Sequence, residues 1–319
     1  MKIIVIVGQT STGKSDFAVE IAKQINAEII SADSRQVYKG MNLGTGKITK
    51  KEMKGVPHHL LNIVSPSRIF SVNDFQKEAN KKIKTIIKKG KIPIICGGTG
   101  FYIDSITNVT IFPNVPPNKK LREKLSRKTK EQLFEMLKKI DAVRAENIDQ
   151  NNPVRLIRAI EIAKALGKVP SLNNSRSYSS PRQGLGENCL GENVQVEVIK
   201  IGLTLPPEIL KERIKTRLLA RIKKGMIKEI ENLHQAGLSW KRMFDLGLEY
   251  RYGALYLQKK ISKTEMIEKI LTETWHYAKR QKTWFKRDQN IIWIDPTKNK
   301  ERNFVFKEVK KFLNSTQKI

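Results

Sequence analysis

An apolar run at residues 3–7 breaks into Gly8-Gln9-Thr10-Ser11-Thr12-Gly13-Lys14-Ser15 and resumes as a helical pattern with Phe17, Ile21 and Ile25 on one face. Strand, GxxxxGK[ST] loop and helix in that order make a phosphate-binding loop in its expected setting. The glycines let backbone N–H groups turn inward around a phosphate chain, Lys14 adds an ammonium, and the Ser15 hydroxyl stands where Mg²⁺ would bind. A polyphosphate ligand follows from this; the reaction does not.

The rest of the pattern extends the same architecture. Residues 28–32, 59–64 and 92–96 read as short strands, and Ser71 with Asp74 three positions on makes a capping box for a helix running to Lys89, closed by Gly90. Strands alternating with helices predict an α/β fold, a P-loop NTPase-like, doubly wound parallel sheet with a helical insertion domain. From 108 to 195 no strand pattern is found. Helices are expected there at 129–140 and 153–166, the second opened by Asn152-Pro153 and stopped by Gly167, with a Ser-, Asn- and Gly-rich surface loop at 173–193. A strand returns at 196–204. Helices are then expected at 208–224, 226–236, through Tyr256 and over 262–286, followed by a strand at 291–294 and a last helix at 302–313. The chain therefore divides into a core at 1–107, a helical insertion at 108–195, and a segment at 196–319 that completes the core.

Charge bears on the partner. With 61 Lys and Arg against 31 Asp and Glu, the formal charge is +30, the range of proteins that bind an extended polyanion. A lysine-rich proteome would raise the same count on ordinary solvated helices, so charge alone leaves both readings open. Cys96 and Cys189 have no metal or redox spacing, which points to a reducing cytosol. The sequence opens directly on the phosphate-loop strand and has no apolar run near the roughly 20 residues of a membrane span. A soluble, cytoplasmic protein with no membrane partner is expected.

Asp33 follows the second strand, at the carboxyl edge where open α/β sheets bind ligands. A carboxylate there can hold magnesium through water, take a proton from a nucleophile brought to the phosphates, or cap a turn. After 92–96 comes Gly97-Gly98-Thr99-Gly100-Phe101-Tyr102, with no acid where a phosphoryl-transfer P-loop enzyme keeps its metal-binding aspartate. That departure weakens a kinase or ATPase reading, while Thr99 offers a hydroxyl.

Together these blocks resemble the tRNA dimethylallyltransferases, also called tRNA isopentenyltransferases. The likeness is carried by GQTSTGKS at 8–15, SADSRQVYKGMNLGTGK at 31–47, GVPHHLLNIVSP at 55–66, FSVNDFQKEA at 70–79, IICGGTGFYI at 94–103, NPVRLIRAIEI at 152–162 and YAKRQKTWFKRD at 277–288. The resemblance implies transfer of a dimethylallyl group from dimethylallyl diphosphate to the exocyclic amine of the adenosine immediately 3′ of the anticodon, in tRNAs reading codons that begin with U. It implies that residues 8–15 hold the leaving diphosphate with Mg²⁺ at Ser15, that Asp33 is the base, and that Thr99 contacts the reacting nucleotide. Arg217 is singled out as a diphosphate clamp by the resemblance alone, since Lys211, Arg213, Lys215 and Arg221 compete with it by spacing.

By the same resemblance the anticodon stem-loop of tRNA would meet Asp33, Ser34, Arg35 and Gln36, Arg122, then Val154, Arg155, Leu156, Ile157 and Arg158, and finally 243–251 and 274–281, Arg280 and Gln281 included. Arg155 and Arg158 share a helix face, and Lys279, Arg280 and Lys282 flank Tyr277 and Trp284, which interleaves phosphate contacts with stacking surfaces. At least one of Trp275, Trp284 and Phe285 is expected to pack in the core, and Phe101 either packs or faces the allylic carbon. Gln9 departs from the family's usual proline, and His58 and His59 are expected to be structural. A monomer is expected. The rival readings are a nucleoside-monophosphate kinase, a prenyltransferase acting on free adenine nucleotides, and an RNA-binding protein without activity; Asp33, the helical insertion and the intact loop residues argue against them in turn.

Overall fold

The computed structural model describes residues 1–107, 113, 115–170 and 196–315. The chain forms two compact units, one made of Met1–Val109 with Tyr178–Ile319 and the other of Thr110–Ser177. The loop expected at 173–193 lies outside the described residues.

In the larger unit the chain runs β1 (Lys2–Gly8), α1 (Lys14–Gln24), β2 (Ala27–Ser31), α2 (Lys50–Met53), β3 (His58–His59), α3 (Val72–Lys88), β4 (Ile92–Cys96) and α4 (Gly100–Thr107). The smaller unit follows with α5 (Lys119–Ser126), α6 (Lys130–Ile140), α7 (Ala142–Glu146) and α8 (Pro153–Leu166). The larger unit resumes with β5 (Glu197–Leu203), α9 (Pro207–Lys223), α10 (Met226–Gln235), α11 (Trp240–Leu246), α12 (Leu248–Leu257), α13 (Lys263–Phe285), β6 (Ile291–Ile294) and α14 (Asn299–Asn314).

Six strands form one sheet in the order β3-β2-β4-β1-β5-β6, every pairing parallel. The unbroken apolar run of β1 is explained by burial on both faces. Ile3, Val5 and Val7 pack beneath α3, α4 and Phe285 of α13, while Ile4 and Ile6 meet α1 and α14. The register sets Gly8 beside Leu203, and Cys96 beside both Ile6 and Ser31, so four strands end together and release their loops on one side. Helices α9 to α13 build a third apolar cluster around Met243, Tyr250, Met266 and Ile270. Val37, Tyr38 and Met41 insert into it and anchor the segment after β2.

The capping box behaves as expected: Ser71 accepts the Asp74 N–H and the Asp74 carboxylate accepts the Ser71 N–H. The strand expected at 59–64 is instead two residues, His58 and His59. Leu60 and Asn62 adopt positive φ, 62° and 56°, which turns the chain out of the sheet, and only Val64 pairs again, as an isolated bridge to Tyr38. Both histidines are structural here, with His59 Nε2 2.7 Å from Glu28 and His58 Nδ1 2.9 Å from the Val56 carbonyl.

The smaller unit is helical among its described residues, with Leu125, Leu133, Leu137, Leu156 and Ile160 at its centre. Its organising charge is Glu161, whose side chain is 2% exposed. The carboxylate accepts from the Asn118 N–H at 2.6 Å, Arg122 at 2.7 Å and Arg158 at 2.6 Å. Burial alone would raise its pKa, but these donors outweigh burial and hold it at about 2. One of the tRNA-facing expectations changes, and two others gain a partner inside the protein. Leu156 is a core residue, and the guanidiniums of Arg122 and Arg158 are tied to Glu161 instead of standing free. Val154, 75% exposed, and Arg155, loosely paired with Asp149 at 3.6 Å, remain open to a partner.

Because the folded carboxyl titrates below its ordinary value, its stabilisation is complete above the usual carboxylate range and is lost as pH falls toward about 2. Glu161→Ala is expected to destabilise this unit by about 2–3 kcal/mol, since the half-exposed arginines rehydrate in part. Faster amide hydrogen exchange in α5 and α8 at neutral pH is the measurement; unchanged exchange would remove Glu161 from this role.

Candidate active site

Four loops meet at the carboxyl edge of the sheet. The first joins β1 to α1. Gly8 (φ 140°) cannot carry a Cβ, which would fall 2.3 Å from the Leu203 carbonyl, and Gly13 opens α1 at φ 92°. Within the loop the Gln9 carbonyl accepts from Thr12 Oγ1 at 2.8 Å and from Lys14 Nζ at 2.5 Å. Burial lowers the Lys14 pKa to about 8; Cys96 and Asp33 act to raise it and Arg217 to lower it. These influences place Asp33 and Arg217 in the electrostatic field of Lys14. Ser15 is exposed at the first turn of α1.

The second loop follows β2. Asp33 Oδ1 accepts the N–H groups of Arg35 (2.8 Å) and Gln36 (3.2 Å), so one oxygen caps the turn. Oδ2 accepts no hydrogen bond among the described residues, which leaves it available as a base. Turn cap and base, set out as alternatives by the sequence, are compatible here, because the cap uses Oδ1 alone.

The third loop follows β4. Gly97 packs so closely on Ala32 that a Cβ would lie 2.2 Å from its carbonyl oxygen. Thr99 Oγ1 accepts the Ser34 N–H at 3.0 Å, which joins this loop to the Asp33 turn and leaves the hydroxyl proton to donate. Phe101 is 44% exposed, edge-on to Trp284 at 6.4 Å. Phe285 packs in the core as expected of one of the aromatic set, and Trp275, partly buried against Leu210 and Ile214, has the ammoniums of Lys211 and Lys279 at 5.1 and 6.0 Å from its ring centre.

The fourth loop, residues 42–47, is held from two sides. Glu229 accepts the N–H groups of Asn42, Leu43 and Gly44, and Arg221 donates to the carbonyls of Leu43 and Gly44. A Cβ on Gly46 would come within 3.7 Å of Arg217, so this loop runs beside that guanidinium.

One residue here, Lys47, was given no role from sequence, and a second, Tyr277, was given a different one. Lys47 is 8% exposed and donates to the Tyr38 carbonyl and Asn62 Oδ1 at 2.7 and 2.5 Å, tying the Asp33 segment to the turn after β3. Burial lowers it to about 8, against the opposing charges of Glu229 and Asp33. Tyr277, taken from the sequence as a stacking surface, lies instead among Asp33, Arg35, Thr99 and Gln281; burial and the Asp33 charge push its phenol up to about 12, so it stays neutral. Its i, i+4 spacing from Gln281 was the available signal. Gln281 itself corrects the sequence reading. It is 5% exposed and bonded on both sides within the protein, which removes it from a tRNA-facing surface, while Arg280 is exposed over the Tyr277 ring at 6.0 Å.

A magnesium ion fits this chemistry as a guest of the ligand. Among the described residues no cluster of three acidic, histidine or cysteine side chains could hold a metal. The exposed Ser15 hydroxyl offers one hard oxygen, and diphosphate oxygens and water would complete the shell.

The sequence model of the family described as IPP transferase matches residues 36–288. The chain is 43% identical over 296 residues to tRNA dimethylallyltransferase 2 of Treponema denticola, covering 91% of this chain and 95% of that protein. It is 42% identical over 308 residues to the tRNA dimethylallyltransferase of a Thermoanaerobacter species, covering 94% of each. Among solved structures, the full-length tRNA isopentenylpyrophosphate transferase of Bacillus halodurans superposes with a TM-score of 0.69 at 33% identity, over 98% of this chain and 96% of that one. A eukaryotic dimethylallyltransferase described as acting on tRNA gives 0.79 at 25% identity, over 99% and 81%. Phosphate loop, Asp33 turn and Thr99 loop converge in a chain whose relatives match it almost end to end, and the chain belongs to the IPP transferase family, a prenyltransferase by descent.

Proposed function

We propose that the chain transfers a dimethylallyl group from dimethylallyl diphosphate to the N6 amine of the adenosine immediately 3′ of the anticodon, in tRNAs reading codons that begin with U, and releases diphosphate. One observation carries the reading: Asp33 and Thr99 stand on loops joined by hydrogen bonds from the Ser34 N–H to Thr99 Oγ1 and from the Thr99 N–H to the Ala32 carbonyl, with Asp33 in the electrostatic field of Lys14. Nucleophile activation and leaving-group stabilisation therefore share one edge of the sheet.

The N6 amine is a poor nucleophile because its lone pair is delocalised into the ring. As the carbon–nitrogen bond forms and the allylic carbon–oxygen bond breaks, Asp33 Oδ2 takes the amine proton. Thr99, its oxygen already accepting from Ser34, keeps its proton and donates a hydrogen bond to the adenine or to the bridging oxygen of the leaving diphosphate. Lys14, Arg217 and N–H groups of the 8–15 loop other than that of Thr10, which Gln281 accepts, stabilise the charge gathering on diphosphate. Ser15 would be the protein ligand of a Mg²⁺ ion, which when bound would offset charge on the diphosphate. The adenosine must leave its stack to reach this edge, which suits a basic protein acting on a loop of tRNA.

The test is incubation of the protein with Mg²⁺, unmodified tRNA and dimethylallyl diphosphate, then mass spectrometry of the digested tRNA. Isopentenyladenosine beside the anticodon is the expected product. Product on free AMP, or ATP hydrolysis, would replace this reading with the nucleotide prenyltransferase or the kinase. The charge of +30 also predicts that tRNA affinity falls by about 100-fold or more between about 50 and 200 mM salt. Filter binding across that range checks it, and a flat response would mean the excess charge does not meet phosphates.

A further inference from the structure

The inner face of α13 reaches two of the loops that carry the chemistry. Gln281 Oε1 accepts the Thr10 N–H of the phosphate loop at 2.8 Å, and Gln281 Nε2 donates to the Gly98 carbonyl, beside Thr99, at 2.8 Å. A Cβ on Gly98 would lie 2.1 Å from that Nε2, so the glycine makes room for the amide. One turn earlier Tyr277 lies against Thr99 and Gln281. Gln9, which replaces the family's usual proline, adds a bond from the phosphate loop to the Ala278 carbonyl at 3.2 Å.

We propose that Gln281 is a positioning residue for the transfer: its amide fixes the diphosphate loop and the Thr99 loop at one spacing, so leaving group and nucleophile meet in line. The proposal rests on the prenyl-transfer reading above. A neutral amide is the group that fits, because Gln281 must accept at one end and donate at the other. Glutamate would keep the bond from Thr10 but turn an oxygen toward the Gly98 carbonyl, and alanine would release both loops. A displacement near 1 Å at a reacting centre costs about 100-fold in rate.

The experiment compares wild type, Gln281→Ala, Gln281→Glu, Gly98→Ala and the Gln281→Ala/Gly98→Ala double variant. Its readouts are kcat for transfer, tRNA affinity, affinity for inorganic pyrophosphate without tRNA, and thermal melting. Both Gln281 variants should lose about 30- to 100-fold in kcat and bind pyrophosphate about tenfold more weakly, with tRNA affinity and melting near wild type. Gly98→Ala should be as damaging alone, yet cost under about threefold when added to Gln281→Ala, because the clash has gone with the amide. The proposal is overturned if Gln281→Ala transfers at the wild-type rate, if its defect is confined to tRNA affinity, or if the Gly98 and Gln281 losses multiply. Should Gln281→Ala fail to fold, Gln281→Glu and Gly98→Ala decide by the same readouts. A wild type that binds pyrophosphate but makes no isopentenyladenosine would defeat the prenyl-transfer reading, and an undiminished pyrophosphate affinity in Gln281→Ala would defeat the brace.

Discussion

Asp33→Asn is expected to lower the rate of prenyl transfer by about 1,000-fold while tRNA affinity stays within about threefold of wild type. Asparagine is the informative replacement because the two carboxylate oxygens do different work. Oδ1 accepts the N–H groups of Arg35 and Gln36, and an amide oxygen can keep both bonds, so the turn that presents Ser34 to Thr99 survives. What asparagine removes is the proton acceptor at Oδ2. Asp33→Ala loses both functions and should also loosen the turn, so it ought to be worse than asparagine in tRNA affinity as well as in rate. Single-turnover transfer with bound tRNA measures the chemical step directly. If Asp33→Asn transferred at the wild-type rate, the proton would have to leave by another route and Asp33 would be only a cap.

The two roles of Asp33 show where a sequence is readable. The phosphate loop, the capped α3 and the helical stretch around α8 were legible because each depends on neighbours within a few positions: a glycine at positive φ, a serine three residues before an acid, a proline after an asparagine. The strand expected at 59–64 failed for the converse reason. Leu60-Leu61-Asn62-Ile63-Val64 has the composition of a strand, but the Asn62 side chain receives buried Lys47 from 15 positions away, and the chain turns there at positive φ. Gln281 was assigned with its segment to the tRNA surface, yet its partners lie 271 and 183 positions distant. Alternate residues of one helix can serve a partner outside and a loop inside, and only the packed fold separates Arg280 from Gln281. Leu156 is the same case in α8, where a core leucine sits between Arg155 and an arginine tied to Glu161.

Lys14→Ala is expected to reduce transfer by about 1,000-fold, since it removes a charge aimed at the leaving diphosphate from a site largely shielded from water. Arg217 remains, so some binding of dimethylallyl diphosphate should persist. The wild type should also show a pH signature that the variant lacks. Burial holds the Lys14 ammonium at about 8 in the free protein, so its charge is present below that pH and is lost as pH rises through it. Affinity for dimethylallyl diphosphate, measured by calorimetry without tRNA, should therefore weaken above about pH 8 in the wild type. It should stay level in Lys14→Ala. Two neighbours could mimic the transition, and the comparison separates them. Cys96, beneath the loop, is pushed up to about 12 and stays neutral throughout. Lys47 also titrates at about 8, but it is intact in Lys14→Ala, so a fall in affinity common to both proteins would assign the transition to Lys47 and take Lys14 out of the diphosphate site.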